Sequence, residues 1–402
     1  MPIINRPIIN RIAEFHADMT AWRRDIHAHP ELGYEEHRTS DLVAAKLAGW
    51  GIAVERGLAG TGVVGTLAGR DTDISGGSAR AIGLRADMDA LPMPEANGFA
   101  HASTNPAAMH ACGHDGHTAM LLGAARYLAE TRNFDGVVHF IFQPAEEGRG
   151  GGRRMIEDGL FERFDCEQVY GLHNWPDLPA NTIAVHPGPV MAAADQFTIT
   201  VTGRGGHAAI PHRSIDPVLV AAHIVTAAQS LVSRGTDPAD SAVVSVTWVQ
   251  AGTTTNVIPD EAKLHGTVRT FTEATRARIR EQLGRLAESI AAGFGATAAL
   301  DYRPGYPATV NSEAEARIAA GIAATVVGEA NVTWAPAPSM AAEDFGYLLH
   351  ERPGAYVWLG HGAHTGPSCR LHNPHYDFND DILTTGASYW ATLVETILPR
   401  SA

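Results

Sequence analysis

The feature that most constrains this chain is one pattern interrupted by another. Apolar runs at 62–69 (GVVGTLAG), 81–87 (AIGLRAD) and 137–143 (VVHFIFQ) read as strands, with a helical pattern over about 115–131 between the last two. Strands alternating with helices predict an α/β layer on a central, mostly parallel sheet. The texture changes near Pro187. Residues 195–203, 242–250 and 262–270 alternate apolar and polar, helical patterns fill 216–233 and 273–294, and a further strand follows at 297–304. That order, β-α-β-β-α-β, is the split βαβ unit of a small α+β, ferredoxin-like domain. Helix and strand patterns then resume, with a strand at 355–360 and a helix at 381–398. The expectation is one α/β domain from 1–188 and 305–402, interrupted by an α+β insert at 189–304.

At the N-terminal end, Ile12, Phe15, Met19, Trp22 and Ile26 fall at helical spacing, which predicts a helix over 11–26. A second helix is expected at 39–50, capped by Thr39 or Ser40 and stopped by Gly51.

Composition excludes several classes. The 402 residues are 45% hydrophobic and 18% charged, a folded composition. A net charge of −14 leaves no broad basic face for nucleic acid and repels anionic lipid. No apolar run is long enough for a membrane span, and three cysteines are too few for a disulfide scaffold, so a cytoplasmic protein is expected. An anionic substrate would need local arginines or a metal to hold it against the net field.

The chemistry-bearing residues cluster. Met109-His-Ala-Cys-Gly-His-Asp-Gly-His117 opens a helix, and Cys112 and His114, two apart, can meet at one centre. Unpaired N–H groups at a helix start favour a thiolate. Glu146 and Glu147 follow a strand end and Pro144; one can ligate a metal while the other stays free as a base. His173 lies just after an apolar run, and His372 lies in a loop near the C-terminus. Asp87 and Asp89 close another strand and suit orienting a ligand imidazole from behind. The glycines of 148–152 lack the Lys-Ser/Thr of a phosphate loop, and no H-E-x-x-H, G-x-S-x-G or C-x-x-C appears.

Taken in order, HPELGYEE (29–36), LRADMDALP (84–92), MHACGHDGHT (109–118), QPAEEG (143–148), GLHNWP (171–176), GRGGHAAIPH (203–212), NVIPDEA (256–262), MAAEDFG (340–346) and LHNPHYDF (371–378) resemble the M20 metallopeptidase clan. The resemblance is to its aminoacylase, hippurate hydrolase and auxin–amino-acid-conjugate hydrolase branch, over nearly the whole chain. It implies a catalytic domain with a lid domain that often dimerises, hence a homodimer or higher homo-oligomer. It implies two divalent ions per subunit, Zn²⁺ or Mn²⁺ with Co²⁺ or Ni²⁺ as further options. Cys112 would bridge them, with His114 and His173 on one ion and Glu147 and His372 on the other. Glu146 would be the general base, and His207 a lid histidine stabilising the oxyanion, supplied within the chain or across a dimer interface. Asn256 and Arg269 would hold the substrate carboxylate. Asp87 stands where the wider clan has a His, and Cys112 where it has an Asp.

The implied activity is hydrolysis of an N-acyl-L-amino acid by metal-activated water. Two other readings remain within the clan, an N-acetyl-diaminopimelate-type deacetylase and a small-peptide hydrolase. Outside it stand a cysteine hydrolase using Cys112 and a metal- or ligand-binding pseudoenzyme. His27, His29, Cys166 and Cys369 receive no role from the sequence.

Overall fold

The computed structural model describes residues 7–72, 80–362 and 370–400. Cys369 lies outside the described residues. The chain divides into two compact units. One comprises 1–188, 310–337 and 347–402, the other 189–309 and 338–346.

The first unit is built on an eight-stranded sheet among the described residues. Its helices and strands begin with α1 (Pro7–Ala13), α2 (His16–Ala28), α3 (His37–Gly49), β1 (Ala53–Leu58), β2 (Gly62–Ala68), β3 (Ala81–Asp87), α4 (His114–Thr131), β4 (Val137–Gln143) and β5 (Gln168–Trp175). The strands run in the order β1-β2-β4-β3-β5, then Gly354–Gly360, Ile183–Val185 and Val332–Trp334. The centre is parallel: β3 pairs in parallel with β4 and β5, and Gly354–Gly360 pairs in parallel with β5. Antiparallel pairs flank it. Every residue of β3 and β4 is buried, as expected of a parallel sheet covered on both faces. α4 packs between β3 and the helices α2 and Leu383–Ile397.

This topology positions the site. From β3 the chain crosses to β4 on one side, and from β4 it returns to β5 on the other. The carboxyl ends of β3 and β5 therefore meet at the point where the strand order reverses, the place where open α/β sheets bind ligands.

Two local expectations differ from the structure. The helix read at 11–26 is two helices, α1 and α2, parted at Glu14 and Phe15. The helix read at 39–50 starts at His37, so Thr39 and Ser40 lie inside it. Its N–H groups at Arg38 and Thr39 are taken by the Glu31 carboxylate, both at 2.8 Å. A cap from outside the helix replaces the local one.

The second unit carries strands Ala193–Thr202, Ala242–Ala251, Glu261–Thr270 and Thr297–Arg303, all antiparallel. Helices Pro217–Ala228 and Glu273–Gly293 bury Val220, Ile224, Ile279 and Leu283 against Phe197, Ile199, Leu264 and Val268. Asp216 and Thr272 cap these helices, accepting N–H from Val218 and Thr275. Along Glu261–Thr270, Ala262, Leu264 and Val268 face that core, while His265, Thr267 and Arg269 fall on the more open face.

Candidate metal centre

The site begins where β3 ends. Asp87 is fully buried, accepts from Arg85 at 2.6 Å and pairs with His117 Nδ1 at 2.6 Å. Burial opposes its charge, but His114, Arg85 and His117 outweigh burial and hold the carboxyl well below its usual range. Asp87 thus serves as a buried anion beneath the centre, its oxygens already engaged.

α4 starts opposite. Gly113 caps it with φ +96°, a conformation that L side chains rarely adopt, and a Cβ there would sit 2.2 Å from Asn174 Oδ1. This tight turn brings Cys112 and His114, both buried, up to the end of β5. His114 Nδ1 donates to the Asp89 carbonyl at 2.9 Å, which turns Nε2 toward the centre.

Beyond β4, Ala145 has φ +56° and Gly148 φ +74°. A left-handed alanine costs free energy and persists only where neighbours fix it. Here Glu36 accepts the Ala145 N–H at 2.8 Å, and Asp89 accepts the N–H groups of Glu146 and Glu147 at 3.0 and 2.9 Å. The turn presents both carboxylates side by side.

β5 supplies His173, whose Nδ1 donates to the Asn174 carbonyl at 2.7 Å while Nε2 lies 3.4 Å from Cys112 Sγ. Burial and the neighbouring His117 and His114 push its pKa well below the usual histidine range, so it is a neutral imidazole suited to ligation. His372 arrives from an irregular loop at φ +60°, its N–H bonded to Ala111 O at 2.7 Å and its Nε2 3.3 Å from Glu147 Oε1.

Ligand atoms of Cys112, His114 and His173 lie within 4.8 Å of one another, as do those of Cys112, Glu147 and His372, and those of His114, Glu146 and Glu147. Cys112 is common to the first two groups. The set fits divalent ions on its own terms. His114 Nε2 is buried without a hydrogen-bond partner, and Glu147 Oε1 forms no hydrogen bond although His372 Nε2 stands 3.3 Å away, an arrangement that a shared cation satisfies. Thiolate, imidazole and carboxylate together suit a borderline-soft ion.

Residues without a role from sequence complete the site. His117 Nε2 and the Asn174 amide meet at 2.7 Å, and Asn174 Nδ2 donates to Tyr376 OH at 2.7 Å. All three stand inside the ordered motifs, but no local pattern joins Asn174 or Tyr376 to His117.

His207, Asn256 and Arg269 belong to the second unit. His207 and Asn256 are exposed neighbours, joined by the Ala208 N–H donating to the Asn256 carbonyl at 3.0 Å. His207 Nδ1 accepts the Ala209 N–H at 3.0 Å, which places the proton of the neutral ring on Nε2. Arg269 lines a groove of about 550 Å³ with Gln196, Trp248, His265, Thr267 and Arg303.

The sequence pattern of peptidase family M20/M25/M40 matches residues 83–396. A hippurate hydrolase of Campylobacter jejuni is 40% identical over 386 residues, covering 96% of this chain and 98% of that protein. An N-acetylcysteine deacetylase of Bacillus subtilis is also 40% identical, with the same coverage. A solved dinuclear metal-binding M20 peptidase from Bacillus subtilis superposes with a TM-score of 0.83 at 36% identity, covering 96% of this chain and 99% of that one.

Proposed function

The chain belongs to peptidase family M20/M25/M40, and from that premise we propose that it is a metal-dependent amidohydrolase that cleaves N-acyl-L-amino acids to a carboxylic acid and a free amino acid. The observation that carries the reading is the shared position of Cys112 between two ligand groups, with Glu146 alongside.

Cys112, His114 and His173 would hold one divalent ion, and Cys112, Glu147 and His372 the other. When bound, such ions supply Lewis acidity that makes water nucleophilic near neutral pH. Glu146 takes the proton from the attacking water and returns it to the leaving amine. Asp89 keeps that carboxylate in place by holding its backbone N–H. His207 offers Nε2–H as a donor to the developing oxyanion. Arg269 binds the substrate carboxylate, for which a guanidinium supplies charge and bidentate geometry; Asn256, which stands with His207 near the opposite end of Arg269's strand, would reach that carboxylate only from a second copy of the chain.

A homo-oligomer formed through the second unit belongs to the same reading. It is supported by the edge strand Ala242–Ala251, which leaves Trp248 and Val249 exposed. So does a cytoplasmic setting, where thiols such as Cys112 are kept reduced. Among the described residues, no helix is long and apolar enough to cross a membrane. Zn²⁺ and Mn²⁺ both suit the donor set, thiolate leaning toward Zn²⁺.

The 3.4 Å approach of Cys112 to His173 favours one competing route, with Cys112 as nucleophile. Turnover of N-benzoylglycine and N-acetyl amino acids in the presence of hydroxylamine separates the two. Our reading predicts free amino acid and acid without acyl hydroxamate. Hydroxamate in proportion to turnover would establish an acyl-cysteine route instead.

A further inference from the structure

We propose that Arg23, with His27, is a positioning residue that locks the His372 loop to the Cys112–His114 segment from behind the metal centre. The inference rests on the ligand assignment above, but it concerns residues outside that set.

His372 lies on a loop without helix or strand between Arg370 and Asn379, and it is half exposed. Metal ligands must be held to a fraction of an ångström. A loop can meet that demand only through fixed points elsewhere. The backbone supplies some: His372 N–H to Ala111 O at 2.7 Å, and Ala96 N–H to Pro374 O at 2.8 Å.

The strongest fixed point is ionic. Arg23, on α2, is fully buried. Its Nη1 donates to Asp377 at 2.8 Å, five residues beyond His372, and its Nε donates to Asp380 at 2.7 Å. The same Nη1 lies 3.6 Å from Asp115, the residue that follows His114. His27, one turn along α2, bonds Asp115 through Nδ1 at 2.8 Å and reaches Glu95 through Nε2 at 3.3 Å. One guanidinium thus joins the segments that bring ligands from positions 114 and 372. A planar fork can satisfy several carboxylates at fixed angles, which a lysine cannot. Buried ion clusters add little net stability because desolvation offsets attraction, so specification of geometry is the better account of this one.

Cobalt titration of chelator-stripped protein, followed by visible absorption, tests this without substrate. Wild type is expected to take up two Co²⁺. Asp377→Ala cuts the Arg23 tie at a side chain that is one-third exposed, so the fold should survive. It should weaken uptake of the ion that uses His372 by ~10–100-fold and alter its absorption band. Asp377→Asn, which can still accept from Nη1, should recover most of the affinity. Arg24→Gln, which loses only a half-exposed contact to Asp380, should bind both ions as wild type does. Arg23→Lys should behave as Asp377→Ala if it folds. A folded Asp377→Ala chain that binds both ions with wild-type affinity and spectrum overturns the proposal. A wild type that binds no Co²⁺ would overturn the metal reading itself, and this inference with it.

Discussion

The carboxylate of Asp89 accepts the backbone N–H groups of Glu146 and Glu147, one on each oxygen, at 3.0 and 2.9 Å. The Asp89 main-chain carbonyl meanwhile accepts from His114 at 2.9 Å. One residue therefore fixes the proposed base and two proposed ligands. Asp89→Ala should lower metal affinity and kcat together, by ~10–100-fold each. Asp89→Asn, which keeps one acceptor oxygen, should fall between. Equilibrium metal binding and steady-state kinetics on the same preparations check this; loss of kcat alone would restrict Asp89 to the base.

Glu146→Gln removes the proton acceptor and keeps the shape. The variant should retain its metal content and lose ~10²–10⁴ in kcat. Near-normal turnover would remove Glu146 from the mechanism.

Arg269→Ala should raise KM for substrates with a free α-carboxylate and leave amidated analogues little changed. A bidentate guanidinium–carboxylate pair needs the ionised acid. Equal losses on both substrate types would assign Arg269 a structural role in its sheet.

Two histidines set opposite limbs of the stability profile. Burial pulls His139 down to about 4, so it stays neutral in the fold. Its contribution is present above pH ~6.5, the ordinary value, and is lost as pH falls through 4, by roughly 3 kcal/mol in all. For His27, burial also lowers the pKa, but the bonds to Asp115 and Glu95 outweigh it and raise it to about 9. That contribution is complete below pH ~6.5 and is lost as pH rises through 9. Urea midpoints across pH should show His139→Phe flattening the acid limb relative to wild type, and His27→Gln the alkaline limb. Parallel profiles for wild type and variant would contradict the assignment.

What was legible in the sequence was local. β3 and β4 announce themselves as mostly apolar runs, broken only by Arg85, Asp87, His139 and Gln143, because both faces of the sheet are covered. Cys112 and His114 stand two apart in one segment. The pairing of Cys112 with Glu147 and His372 has no local signature, since three separate connections bring them together, and only the ordered motifs implied it. The chain from Asp87 through His117 and Asn174 to Tyr376 was missed for the same reason, as its members come from β3, α4, β5 and a C-terminal loop. The start of α3 was misplaced because its cap, Glu31, acts from a preceding loop rather than from the residue before the helix. Arg23 and His27 read as ordinary helix residues, and only the fold shows what faces them.

Free-amine release from a panel of N-acyl amino acids, N-benzoylglycine included, is to be measured before chelation, after it, and after Mn²⁺ or Zn²⁺ is added back. Metal-dependent hydrolysis predicts release that disappears with the chelator and returns with metal. Release that survives complete removal of metal would contradict it.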